Sequence, residues 1–213
     1  MLHEGTAAAL VSGVFAHERP LNFCTHRAYQ RKVTSSGPER EVNTDDETSE
    51  SEPGSESGDS LSDVTIRRAE RADLLEVLGI EKTCFTEPWP YTAFESFLDE
   101  PGFLVAVNEG NVVGYIVADV MPNHGRDLGH IKDIAVTPEA RGIGLGRRLL
   151  QRGLVSLSFS GAALVKLEVR VGNEPALSLY RKMGFEPARR VPSYYADGED
   201  ALLMVLDVDA WQD

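Results

Sequence analysis

The run Arg141-Gly142-Ile143-Gly144-Leu145-Gly146-Arg147 alternates glycine with apolar residues between two arginines. A strand-like segment, "GHIKDIAV", precedes it, and a helix-like segment begins inside it. The first N–H groups of a helix have no intrahelical acceptor and carry partial positive charge. Glycines at that point let a phosphate approach the backbone, and Arg141 and Arg147 add charge. The residues therefore read as a phosphate cradle, with a plain flexible turn as the alternative. GxxxxGK[ST] is absent, and GxGxxG fails because Arg147 stands where the third glycine belongs. This excludes a P-loop nucleotidase and the dinucleotide fingerprint. A second candidate is "LVKLEVRV", where alternation puts Lys166, Glu168 and Arg170 on one strand face and Val165, Leu167 and Val169 on the other. An exposed charged face is the plain reading of that pattern.

These segments need elements to hold them. "DVTIRRA" reads as a strand and "RADLLEVLGIEKTCF" as an amphipathic helix, with Glu81 on its polar side. "EPWPY" ends that helix, because two prolines disfavour continuation. "YTAFESFLDE" is a short second helix. Two strands follow around Glu109-Gly110, a hairpin signal. "ALVKLEVRV" is a further strand and "NEPALSLYRKMG" a helix, with Asn173 as N-cap and Gly184 at its end. A closing hairpin turns near Asp197-Gly198. The predicted order is β-α-α-β-β-β-α-β-α-β-β. This is α/β with a mixed sheet rather than a doubly wound one, because three strands run in succession.

The net charge is −13, and residues 1–60 and the remainder of the chain are each net acidic, which argues against a nucleic-acid-binding surface as the main role. Lysine is scarce beside arginine, a composition that suits a halophilic, high-salt cytoplasm. Asn43–Ser60 is polar, acidic and rich in Ser and Gly, so residues 1–60 are expected to be a disordered extension and 61–213 the folded domain. Cys24 and Cys84 form no metal or redox spacing and are expected to be reduced thiols of a cytoplasmic protein. No run reaches the length of a transmembrane helix. Ala7–Ala16 has the length of a signal core but no basic residues before it. No metal site is expected.

"RGIGLGRRLL" after "IAVTPEA" resembles the Q/R-x-x-G-x-G/A signature of the GNAT acetyltransferase superfamily. The resemblance spans about residues 63–208 and agrees with the predicted element order. It implies that the turn from Arg141 through Gly142, Ile143, Gly144, Leu145 and Gly146 to Arg147 binds the pyrophosphate of acetyl-CoA. It also implies that Ile134, Ala135 and Val136 pair with the pantetheine arm through main-chain groups, and that Asn173 contacts the co-substrate. "LEVRVGNEPALSLYRKMGF" and "YYADGEDALLM" resemble the ribosomal-protein-alanine N-acetyltransferases (RimI), and "GHIKDIAV" resembles archaeal N-terminal acetyltransferases.

That resemblance implies acetyl transfer to the N-terminal amine of proteins, a ribosomal protein among them, by a monomer or weak dimer. It makes Glu168 the general base and Tyr180 the general acid. Without it, Tyr180 is an ordinary core tyrosine on one helical face with Ala176 and Met183. His130 is a second base or water ligand, or a structural strand histidine. Trp89, Tyr91, Tyr194 and Tyr195 fall in segments that, by resemblance, flank a peptide groove, with packing as the alternative. Two other functions stay open: a GNAT enzyme for lysine or a small amine, and a non-catalytic acyl-CoA-binding module.

Overall fold

The computed structural model describes residues 63–123 and 126–211. The expected disordered segment at 1–60, and Cys24 within it, lie outside the described residues. Among the described residues, seven strands and four helices follow the predicted order. They are β1 (Val64–Arg68), α1 (Leu74–Cys84), α2 (Tyr91–Ser96), β2 (Leu104–Asn108), β3 (Asn111–Met121), β4 (Asp127–Val136), α3 (Leu145–Phe159), β5 (Ala162–Arg170), α4 (Glu174–Lys182), β6 (Glu186–Val191) and β7 (Ala201–Asp207). Short 3-10 turns precede α1 and α3. The strands form one sheet in the order β1-β2-β3-β4-β5-β7-β6.

All pairings are antiparallel except β4 with β5. A parallel neighbour needs a crossover, and α3 supplies it. The helices cover both faces. Leu145, Leu149, Leu150, Leu154 and Leu157 of α3 recur at helical spacing and bury one face together with Ala176, Leu177 and Tyr180 of α4. Leu74, Val77 and Ile80 of α1 bury the other face with Phe94, Phe103 and Tyr115.

Two features open the sheet. The β4–β5 ladder runs from Asp127↔Ala162 to Ile131↔Leu167 and then ends, while β4 continues to Val136 and β5 to Arg170. Beyond Ile131 the β4 edge facing β5 is free of that partner. At the same level β4 bulges. Val117 pairs with Asp133 and Ala118 with Ile131, so Lys132 is the extra residue. A bulge bends its strand and increases the local twist, which directs β4 away from β5.

Candidate active site

The predicted site residues are carried by β4, the turn into α3, β5 and α4 with its N-cap, and the aromatic candidates lie at α2 or just before it and in the turn after β6. On the α3 side, Gly142 and Gly144 adopt φ of 85° and 88°, a left-handed conformation that glycine enters without penalty. Gly144 is the N-cap of α3 and leaves the first helical N–H groups open. Leu145 is buried and Ile143 packs against the core, so the two apolar residues pin the turn from beneath. Gly146 lies in the first helical turn, and Arg147 projects from it, exposed. Open N–H groups at a helix start carry partial positive charge, the arrangement expected for the pyrophosphate cradle.

Arg141 does not extend toward that turn. Its Nε donates to the Val136 carbonyl at 3.0 Å and its Nη2 to Cys84 Sγ at 3.2 Å. Cys84 Sγ also lies 3.6 Å from the same carbonyl. Burial raises the Cys84 thiol pKa although the Arg141 charge opposes it. Of the strand groups expected to pair with pantetheine, Ile134, Ala135 and Val136, the last thus has its carbonyl occupied by two side chains. Asn173 is buried and caps α4, accepting from the Ala176 N–H at 3.2 Å.

His130 and Glu168 meet at the mouth of the opening. His130 precedes the last paired residue of β4, and Glu168 follows that of β5. His130 Nε2 lies 2.7 Å from Glu168 Oε2. Lys166 Nζ is 3.8 Å from Glu168 Oε1, and Lys132 Nζ is 3.2 Å from His130 Nδ1. Burial lowers the His130 pKa, and the two lysine charges add to this against the pull of Glu168. Burial pushes Glu168 up, but the His130 hydrogen bond and the surrounding positive charge bring it below the ordinary carboxylate value. The pair is therefore a neutral imidazole beside a carboxylate. The exposed charged face anticipated for β5 is not what forms. Lys166 is 3% and Arg170 5% exposed, and Tyr195, Asp197 and Glu199 of the turn between β6 and β7 close over Arg170.

Tyr180 comes from α4 and is buried with Ala176 and Met183, its ring edge-on to Phe185 at 5.8 Å. Burial, with Asp133 and Tyr195 nearby, raises its pKa well above that of free tyrosine. The hydroxyl stays protonated throughout the neutral range.

The four aromatic candidates divide. Trp89 is 4% exposed and packs at 5.3 Å from Phe94 and 5.8 Å from Phe97, so its ring belongs to the core. Tyr91 is half-buried at the start of α2. Tyr194 and Tyr195 meet edge-on at 5.1 Å in the turn between β6 and β7, with Tyr195 buried and Tyr194 half-exposed.

One polar cluster escaped the sequence reading. Glu81, assigned to the polar side of α1, is buried. It accepts from the Trp89 backbone N–H at 2.8 Å and contacts the Tyr115 hydroxyl. The same hydroxyl lies 2.8 Å from Asp133 Oδ2. A phenol has one proton to give and cannot donate to two carboxylates at once. One carboxyl of the pair is therefore protonated, in keeping with burial raising both pKa values. The signal in the sequence was slight: a glutamate at i+7 from Leu74, on the apolar stripe.

Among the described residues no group of three or more His, Cys, Asp or Glu is arranged to hold a metal, and no helix is long and apolar enough to cross a membrane.

The sheet parts between β4 and β5, with the glycine turn opening α3 after β4 and the His130–Glu168 pair at the mouth. The acetyltransferase (GNAT) family profile matches residues 74–185. The chain is 41% identical over 151 residues to an N-alpha-acetyltransferase of Sulfolobus acidocaldarius, covering 65% of this chain and 89% of that one. The solved structure of Ard1 from Thermoplasma volcanium superposes with a TM-score of 0.63 at 31% identity, covering 68% of this chain and 97% of that one. The ribosomal-protein-S18-alanine N-acetyltransferase of Escherichia coli gives 0.61 at 31% identity, covering 68% and 94%. The chain belongs to the GNAT acetyltransferase family. It is an N-acetyltransferase whose co-substrate is acetyl-CoA and whose fold is the GNAT fold.

Proposed function

We propose that this enzyme transfers acetyl from acetyl-CoA to the free α-amino group of protein N-termini, with Glu168 as the base and Tyr180 as the acid. The observation that carries the reading is the His130–Glu168 pair at 2.7 Å, placed where β4 and β5 separate. The amine nitrogen attacks the thioester carbonyl, its proton passes to Glu168, directly or through a water, and the carbon–sulfur bond breaks. Tyr180 donates a hydrogen bond to the departing sulfur. The turn at Gly142–Arg147 holds the pyrophosphate, and Tyr91, Tyr194 and Tyr195 border the peptide.

The chemistry of the base favours this amine. A carboxylate held below its ordinary pKa is a weak base. An α-amino group has a pKa of about 7.7–8.0 against about 10.4 for lysine, so its proton is easier to remove by about 3.4 kcal/mol. The names of the archaeal and bacterial relatives point the same way. A ribosomal protein, the substrate class named for the Escherichia coli relative, is one candidate target, and the cytoplasm is the expected compartment.

Acetyl-CoA turnover on matched peptides tests the reading. Peptides with a free N-terminus should be acetylated at the α-amine, and N-terminally blocked peptides containing lysine should not. Equal turnover on blocked peptides would make it a lysine acetyltransferase. Acetyl-CoA binding without turnover on any amine would make it a binding module.

A further inference from the structure

Lys132 is the extra residue of the β4 bulge, and its side chain stands beside that of His130, two residues earlier on the same strand. The side chain is 9% exposed, and Nζ lies 3.1 Å from Asp119 Oδ2, 3.2 Å from His130 Nδ1 and 5.8 Å from the centre of the Phe97 ring. Asp119 is the residue opposite His130 on β3. Its other carboxylate oxygen is buried with no hydrogen-bond partner, so the ion pair with Lys132 is its main compensation.

An ammonium has three donors and no acceptor. At His130 Nδ1 it can only donate, so that nitrogen presents a lone pair. The single N–H of a neutral imidazole then sits on Nε2, which faces Glu168. A proton on Nδ1 would set donor against donor. The charged groups facing His130 are Lys132 on its own strand, Asp119 on β3, and Glu168 and Lys166 on β5. Glu100 lies further out, near Asp119 and Lys132.

We propose that Lys132 is a positioning residue for acetyl transfer: anchored by Asp119, it donates to His130 Nδ1, fixes the Nε2–H tautomer, and so holds Glu168 as a hydrogen-bonded carboxylate. The proposal rests on Glu168 being the base.

The experiment uses the full chain with its histidine rings isotope-labelled, in wild type, Lys132→Met and Lys132→Gln. Ring nitrogen shifts report the tautomer and titration of His130, and the acid limb of kcat/KM is followed with a free-N-terminus peptide. In wild type, His130 should be the Nε2–H tautomer at neutral pH. Removing a cation at this distance should raise the pKa of the His130–Glu168 pair by about one unit or more. In Lys132→Met, His130 should protonate at higher pH and the acid limb should move up with it. The loss should be about tenfold on the acid side and small on the plateau. Lys132→Gln, which keeps a donor without the charge, should retain the tautomer and show a shift of the same sign. It decides the matter alone if the Met variant does not fold. An unmoved His130 titration, or a loss uniform across pH, overturns the proposal. If wild type acetylates no N-terminal peptide, the assignment of Glu168 as N-terminal base fails, while the ring shifts still decide whether Lys132 sets the tautomer.

Discussion

The guanidinium carbon of Arg170 lies 3.9 Å from the centre of the Tyr195 ring. Arg170 is two residues beyond Glu168 on β5, and Nη1 also reaches both carboxylate oxygens of Asp197, at 3.0 and 2.8 Å, and Glu199 at 2.7 Å. Glu199 in turn accepts from the Gly172 N–H at 3.0 Å. The strand carrying the proposed base and the turn carrying Tyr194 and Tyr195 are thereby one mechanical unit.

Arg170→Met keeps an unbranched apolar stem and removes the stack and the ion pairs. A desolvated cation–π contact contributes about 2 kcal/mol, and tenfold in affinity is about 1.4 kcal/mol. Peptide KM is expected to rise about tenfold or more, with kcat much less affected, because Glu168 itself stays paired with His130. Steady-state kinetics over peptide concentration separates the two. A fall confined to kcat would mean that the turn does not contact the peptide.

Glu168→Gln should lose rate most below about pH 8, where the amine is protonated and needs the base. A loss of about 10²–10⁴-fold is expected there, with recovery as pH rises. Glu168 has a lowered pKa, so it is ionised throughout this range and its own titration does not complicate the profile. Tyr180→Phe should show a deficit that persists at high pH, since the raised pKa keeps Tyr180 protonated to the end of the range. A Glu168→Gln deficit constant from about pH 6.5 to 9.5 would point to a positioning role and move the base to His130.

The element order was legible because each element announces itself locally: apolar spacing in α3, Asn173 and Gly184 around α4, glycine between β2 and β3. The glycine turn was legible for the same reason, since its chemistry lies in seven consecutive residues. What stayed hidden depends on pairing between distant segments. Alternation placed Glu168 on a polar face but did not show that Lys166 and Arg170 of the same face are buried. His130 and Glu168 are 38 residues apart in sequence, and only the parallel register of β4 with β5 joins them. The bulge at Lys132 has no mark in "GHIKDIAV". Trp89 and Glu81 end alike: Trp89 takes the packing alternative, Glu81 leaves the polar side of its helix for the core, and the Trp89 N–H joins them.

Gly144→Val tests the cradle. At φ 88° a β-branched residue is strained by about 1–2 kcal/mol, and the N-cap would shift to relieve it. That shift moves the open N–H groups of α3. The KM for acetyl-CoA should rise strongly while peptide KM changes little. Titration with CoA by calorimetry gives the same information without turnover. Unaltered CoA affinity in a folded variant would rule out the turn as the phosphate site.

Asp133→Asn should make the enzyme more stable at neutral pH, and the gain should grow with pH. In the unfolded chain Asp133 ionises near pH 3.9. In the folded protein burial, with Glu81 adding repulsion, raises its pKa well above that value. A raised carboxyl pKa contributes stability that is complete below the unfolded pKa and is lost as pH rises through the folded one. Between the two, each pH unit costs about 1.4 kcal/mol. Asparagine carries no such dependence. It also leaves the Tyr115 proton to Glu81 alone, which removes the competition of two acceptors for one donor. Thermal melts from pH 4 to 8 should therefore start close together and diverge, with the variant higher at pH 8. Tyr115→Phe should lower the melting temperature at every pH, because it strips a partner from both buried carboxyls, at about 1–3 kcal/mol for each group left unsatisfied. Parallel melting curves for wild type and Asp133→Asn would show that Asp133 is ionised in the fold, and would leave Glu81 as the protonated member of the pair.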